Sequence, residues 1–281
     1  MASHTDPSVS RLLTLSNTDV QLAVPEDDIA PILSSPPFVQ ISGLFNTRDL
    51  GLVPGSRIRP GLAFRSGSLE GIDEKGRQAL FYTLGIKSIF DLRSPGEREK
   101  CPEPHIPGIE SVWVPNAYNN TIDIRDFVEG GGERGYCKMY MDMMEVYAPT
   151  MKVVLQHVRD RPGEPFLFHC ALGRDRTGIL AGLLMSLAGA DEQTVTLDYM
   201  LTRIGSEPVR EILLERAKHD NNCESGLDVP AFYNLCSLRV STWELFVSEV
   251  KAKYGGFEKY VTCRLEIAED DLDQIKKNLR A

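Results

Sequence analysis

Cysteine and tryptophan are scarce in this chain: six and two among 281 residues. Cys101, Cys137, Cys170, Cys223, Cys236 and Cys263 are scattered, with no close pair at the spacing a zinc site uses. A long chain with so little cysteine does not rest on a disulfide framework, which predicts a reduced, cytoplasmic protein without a bound metal. Long apolar runs are also missing. The longest, residues 179–190, falls short of the ~20 residues a spanning helix needs, so no transmembrane segment is predicted. The first residues lack a basic start followed by an apolar stretch, so no export signal is predicted either. Positive charge is in deficit, with 31 basic against 40 acidic residues and a formal charge of −9. That deficit removes the field that draws proteins to polyanions, and no nucleic-acid partner is expected. Repeats and low-complexity segments are absent. What remains is 42% hydrophobic and 25% charged, the balance of a globular protein with material for a real core.

Residues 1–40 read as a loose leader, broken by Pro25, Pro31, Pro36 and Pro37, in which Leu12, Leu13 and Leu15 keep no regular period. From residue 41 the pattern tightens. Residues 57–58 and 62–64 read as a short strand pair. Asp73 is placed to cap a helix reaching residue 84, with Gly85 as its stop. Residues 86–92 and 111–114 are short apolar runs of strand character. After a loop at Gly130–Gly132, residues 136–159 read as helix, with Pro149 starting, kinking or splitting it. Residues 165–168 predict a buried strand and 177–188 an apolar helix. Beyond them the pattern is helical, with Ser241-x-x-Glu244 at capping-box spacing and a last helix over 269–279. Strands interleaved with helices, then a helical tail, predict one α/β domain over 41–281, its central sheet mostly parallel and flanked by helices.

The chemistry concentrates in Phe166-Leu-Phe-His-Cys-Ala-Leu-Gly-Arg-Asp-Arg-Thr-Gly-Ile-Leu. A strand runs into Cys170, a loop with a glycine and two arginines follows, and an apolar helix begins. Amides of such a loop converge, and the helix N-terminus adds about half a positive charge. The guanidinium of Arg176 is a planar fork that matches two oxygens of a tetrahedral dianion. The same field favours a thiolate at Cys170. Nucleophile and oxyanion cradle then share one centre, which is equipment for covalent phosphoryl transfer.

His169-Cys170-x5-Arg176-Thr177-Gly178 resembles the signature of cysteine-dependent protein tyrosine and dual-specificity phosphatases. The string Gly-Arg-Asp-Arg-Thr-Gly is similar to the atypical branch of bacteria and fungi, whose loop usually reads Gly-Lys-Asp-Arg-Thr-Gly. The resemblance extends to Phe45 through Gly51, Phe64 through Gly67, Asp91 through Ser94 with Glu97, Asp198-Tyr199, and Tyr254 through Gly256. It implies a metal- and cofactor-free phosphomonoesterase in which Cys170 attacks phosphorus, Arg176 binds the phosphoryl oxygens and Thr177 assists the leaving sulfur. His169 reads as a loop organiser or as a satisfied core histidine. Ala171, Leu172, Gly173, Arg174 and Arg65 join it as candidate substrate-binding positions.

The general acid of such enzymes usually follows a Trp-Pro motif. Here Trp113-Val-Pro115-Asn116 ends in an amide, which cannot supply a proton. The resemblance points to Asp175 in the loop instead, with Asp123 and Asp126 as fallbacks. Arg174 stands where the branch carries lysine, and Ala171 and Leu172 make an apolar rim. Arg48, Arg65 and Arg93 are candidates to ring the pocket, with Arg48 also read as a turn ion pair with Asp49. Residues 208–238 match a segment that forms a lid in relatives, with 218–226 as a hinge. The expected partner is a phosphorylated protein or a small phosphate such as a phosphoinositide or prenyl phosphate. A phosphate-binding pseudoenzyme and a sulfurtransferase are the competing readings, and no oligomeric state is predicted.

Overall fold

A computed structural model of the chain describes residues 7–117, 122–220 and 229–280. Five strands form one sheet: β1 (Arg48–Asp49), β2 (Ala63–Ser66), β3 (Ser88–Asp91), β4 (Glu110–Trp113) and β5 (Phe166–His169). Their order is β1-β2-β5-β3-β4, with β1 antiparallel to β2 and every other pairing parallel. The inner strands β2, β3 and β5 are buried along their whole length, as parallel strands covered on both faces must be. Register sets Ser66 beside His169 and His169 beside Asp91 at the carboxyl ends of these strands. Open α/β sheets present ligands at that edge.

Thirteen α-helices occur among the described residues: α1 (Pro7–Ser16), α2 (Glu26–Leu33), α3 (Glu74–Gln78), α4 (Pro95–Lys100), α5 (Glu133–Val146), α6 (Ala148–Asp160), α7 (Asp175–Ala188), α8 (Glu192–Gly205), α9 (Arg210–Asp220), α10 (Val229–Cys236), α11 (Val240–Tyr254), α12 (Phe257–Cys263) and α13 (Glu269–Arg280). α7 is the hub. All its residues but Ser186 are buried, which explains why it is apolar on every face. Gly182 lets α11 come close, since a Cβ there would lie 2.6 Å from the Trp243 ring. Trp243 in turn stacks on Tyr199 of α8 at 4.6 Å between centroids.

Several expectations need correction. Residues 57–58 are not a strand; the partner of β2 is Arg48–Asp49. The Asp49 carboxylate accepts from the amides of Gly51 and Gly61, so the turn at Pro60-Gly61 folds back onto β1 without a ladder. The described part of the leader is tied to the rest of the domain and is not loose. Arg203 of α8 donates to the carbonyls of Thr18 and Leu22, Arg210 to that of Val20, and Glu207 accepts from the Val24 amide. Those partners lie far along the chain, so no local pattern announces them. Pro149 splits the long helix, sitting in the first turn of α6 where a missing N–H costs nothing. Asp73 caps α3 through the Gly76 amide at 2.8 Å, and the helix ends in a wider turn closed by the Leu84 amide on the Ala79 carbonyl. Ser241 lies inside α11 and its hydroxyl donates to Glu133, so no capping box forms there. No helix among the described residues is long and apolar enough to cross a membrane.

Candidate active site

Cys170 follows β5 directly, 1% exposed, and α7 starts five residues later. Between them the chain turns through Gly173, whose φ of +63° suits glycine and whose Cβ would lie 2.3 Å from the Ser66 carbonyl oxygen. The loop carbonyls are all held from outside. That of Cys170 faces His169 Nδ1 at 3.2 Å, and that of Ala171 accepts from the Ser68 amide at 3.0 Å. Asn46 Nδ2 donates to the carbonyls of Leu172 and Gly173, and Arg65 Nη2 donates to Gly173 at 2.6 Å. In a trans peptide the following N–H points opposite to the carbonyl. Anchoring these four carbonyls therefore turns the amides of residues 171–174 to the other side, beside the first turn of α7. Backbone amides so arranged can hold an anion.

Arg176 lies in that first turn, 7% exposed. Its Nη1 and Nη2 donate to the two oxygens of Glu97 at 2.5 and 2.7 Å, and Nη1 also reaches the Leu92 carbonyl and the Tyr147 hydroxyl. Burial opposes the ionisation of Glu97, but the Arg176 hydrogen bond and charge overcome it and hold its pKa down to about 2. Glu97 is itself fixed by a capping box at the start of α4, where its side chain accepts from the Ser94 amide at 2.7 Å. Two buried polar atoms here, Arg176 Nε and Thr177 Oγ1, have no hydrogen-bond partner. Buried donors without acceptors are costly, and an incoming oxyanion would satisfy them.

On the other side of β5, His169 is enclosed with Asp91, Arg93 and Glu103. Its Nε2 lies 3.2 Å from Glu103 Oε1, and both ring nitrogens face acceptors, the arrangement of an imidazolium. Burial opposes that charge, yet Glu103 and then Asp91 outweigh it and raise the pKa of the ring. Asp91, Glu103 and His169 offer three ligand-type atoms within 4.8 Å of one another. Arg93 already donates to both carboxylates, at 2.8 and 2.5 Å, and with the imidazolium offsets their charge. The Trp113 indole donates to the Arg93 carbonyl at 2.9 Å, so the tryptophan of the Trp-Val-Pro-Asn string anchors this cluster.

The predicted loop residues thus come together, while the other predicted arginines have partners within the protein. Arg65 is fully buried behind the loop, spending its guanidinium on Asp198 and Gly173. Arg174 turns away to Asp175 and to the carbonyls of Leu235 and Cys236 at the end of α10, with its guanidinium over the Tyr136 ring. The Arg48–Asp49 pair is absent: Arg48 binds Asp198, 150 residues away. Arg93 is likewise buried among carboxylates. Ala171 and Leu172 stay half-buried at the rim. Asp175 Oδ1 accepts from the Tyr140 hydroxyl at 2.7 Å and from Arg174 Nε at 3.0 Å. Asp123 and Asp126 pair with Arg125 and Lys138 on the surface, and the Arg125 hydrogen bond holds Asp123 down to about 2. The proposed hinge falls largely outside the described residues. Sequence reasoning missed Tyr140 and Tyr147 altogether, and it saw Asn46, Glu97 and Asp198 without their partners. A charged residue embedded in an apolar strand, as Arg65 is in Ala63-Phe-Arg-Ser, was the signal available.

A model of the tyrosine phosphatase family matches residues 39–281, so the chain belongs to that family. It is a cysteine-dependent phosphatase. A tyrosine-protein phosphatase of Nostoc commune is 26% identical over 221 residues, covering 76% of this chain and 73% of its own. The triple specificity protein phosphatase PtpB of Mycobacterium tuberculosis is 26% identical, over 69% of this chain and 79% of its own. The solved core catalytic domain of the PP-IP phosphatase SIW14 of S. cerevisiae is 18% identical with a TM-score of 0.33, covering 59% of this chain and 93% of its own.

Proposed function

We propose that residues 41–281 hydrolyse phosphomonoesters of the phosphotyrosine type without a metal or cofactor, through a cysteinyl-phosphate on Cys170. The observation that supports this reading is that the four loop carbonyls of residues 170–173 all have partners outside the loop, which leaves the amides of residues 171–174 to face an anion beside Cys170. The Cys170 thiolate attacks phosphorus and the ester oxygen leaves, taking a proton from Asp175. Water then attacks the phosphorus, returning a proton to Asp175, and sulfur departs as thiolate with the Thr177 hydroxyl donating to it. Arg176 and the loop amides hold the equatorial oxygens throughout, which is where charge accumulates.

A specific observation favours a second substrate class, small apolar phosphates. With Arg174 drawn toward α10, the half-buried rim residues are Ala171 and Leu172, which suit an aryl or prenyl group. Five free cysteines among the described residues suit work in the cytoplasm.

The test is turnover of an aryl phosphate in EDTA by the wild type, Cys170→Ser and Asp175→Asn. Wild-type activity that vanishes in Cys170→Ser, with a trapped phosphoprotein in acid-quenched wild type, is expected. Activity surviving Cys170→Ser rejects the nucleophile. A panel of phosphotyrosine peptides, phosphoinositides and prenyl phosphates separates the two substrate classes.

A further inference from the structure

We infer that Asp198, on α8, is the positioning residue of the phosphate loop, acting through Arg65 and Arg48 to set which way the loop's amides face. This rests on the reading of residues 170–176 as that loop. Asp198 is buried, and its carboxylate hydrogen-bonds to two arginines. Its two carboxylate oxygens each take a different arginine: Oδ1 accepts from Arg48 Nε at 2.8 Å and Oδ2 from Arg65 Nη1. Arg65 then carries the constraint to the loop, with Nη2 on the Gly173 carbonyl at 2.6 Å. Arg48 carries it by a second route. Its Nη1 donates to both the side-chain and backbone oxygens of Asn46, and the Nδ2 of Asn46 donates to the same Gly173 carbonyl at 3.0 Å.

One carboxylate therefore fixes two donors that converge on one peptide oxygen. The peptide is rigid, so gripping the Gly173 oxygen fixes the direction of the Arg174 N–H on the opposite side. Thr202 Oγ1 and the Asp198 carbonyl accept from the remaining Arg48 donor, Nη2, which leaves that guanidinium a single orientation. The steric environment enforces the same geometry. Asn46 has a φ of +57°, and a Cβ at Gly205 of α8 would lie 2.3 Å from its Oδ1, so glycine is what lets Asn46 sit there. The cluster also has more cation than anion, two guanidinium groups against one carboxylate. The charge left over lies behind the cradle, where it adds to the attraction for a dianion.

Full-length wild type, Asp198→Asn, Arg65→Lys and Cys170→Ser are compared by thermal melting, by kcat and KM on an aryl phosphate in EDTA, and by competitive inhibition with inorganic phosphate. An amide at 198 offers one acceptor oxygen where two are needed, and a lysine at 65 has one ammonium to span two acceptors. In folded protein, both variants are expected to bind phosphate about tenfold more weakly or worse, with kcat falling more than KM rises. A role in stability alone would lower the melting temperature and leave kcat and phosphate inhibition per folded molecule at wild-type values; that result overturns the inference. If Asp198→Asn does not fold, Arg65→Lys decides by the same readouts. Activity in Cys170→Ser would instead overturn the loop reading itself, whatever the Asp198 and Arg65 variants do.

Discussion

Two buried charge clusters flank the loop, and they are built differently. On the β3–α4 side every cation has a carboxylate partner: Arg176 has Glu97, Arg93 has Asp91 and Glu103, His169 has Glu103 and Arg98 has Asp91. Behind the loop, two arginines share Asp198 and end on neutral carbonyls. The matched side holds Arg176, the group proposed to bind the phosphoryl oxygens; the unmatched side holds backbone. Arg176 can offer an incoming phosphoryl group its unpartnered Nε while its two Nη groups stay on Glu97, so no charge is stranded. The unmatched cluster cannot rearrange without leaving a buried guanidinium unpaired, which is costly. Burial and the neighbouring Arg65 lower the pKa of Arg48 to about 10, against the pull of Asp198.

The largest break on the matched side is Arg176→Lys. One ammonium cannot bind both Glu97 oxygens and still offer a fork to phosphate, so kcat on an aryl phosphate is expected to fall by roughly 10²- to 10³-fold. Retention of more than a tenth of the activity would remove the fork from the mechanism. Next is Gly173→Ala on the rear side. The positive φ and the Ser66 oxygen 2.3 Å from the new Cβ leave nothing flexible to give way. Destabilisation of about 1–3 kcal/mol is expected, with phosphate inhibition lost along with activity. A crystal structure with the loop unmoved would contradict this.

Glu97→Gln sharpens the comparison through pH. Because the Glu97 pKa is about 2 in the folded protein, its contribution is fully present above its unfolded value of 4.5 and is lost as pH falls through 2. Melting temperatures of wild type and Glu97→Gln should therefore converge as pH drops across that window, from a gap set by on the order of 3 kcal/mol. His169 has the opposite sign. Its raised pKa gives stability present below its ordinary value of 6.5 and lost as pH rises through the folded value, so His169→Gln should narrow its gap with wild type in alkali. A constant gap for either variant rejects the corresponding charge pair.

The same contrast explains what was legible in the sequence. The strand, loop and helix from Phe166 to Ala188 could be read because their signals are local: an apolar run, a glycine, an arginine at fixed spacing. The rear cluster could not, since Arg48 and Arg65 reach Asp198 across 150 and 133 residues. Adjacency misled instead, pairing Arg48 with Asp49, whose carboxylate closes a turn. Spacing alone misled as well. Ser94-x-x-Glu97 and Ser241-x-x-Glu244 share a pattern, yet only the first is a capping box. Pro95 follows Ser94 and suits a first helical position, whereas Ser241 is already inside α11.

The smallest expected effect bears on Asp175. Tyr140 donates to Asp175 Oδ1 at 2.7 Å and lies 2.8 Å from the Tyr199 hydroxyl, all within the packing of α5, α7 and α8. Tyr140→Phe removes that donor with little change of shape, at a cost of about 1 kcal/mol. If Asp175 delivers the proton, the variant alters kcat more for an alkyl leaving group, which needs protonation, than for nitrophenolate, which does not. Equal changes for both would make Asp175 a structural anchor of Arg174, and the leaving oxygen would then take its proton from water.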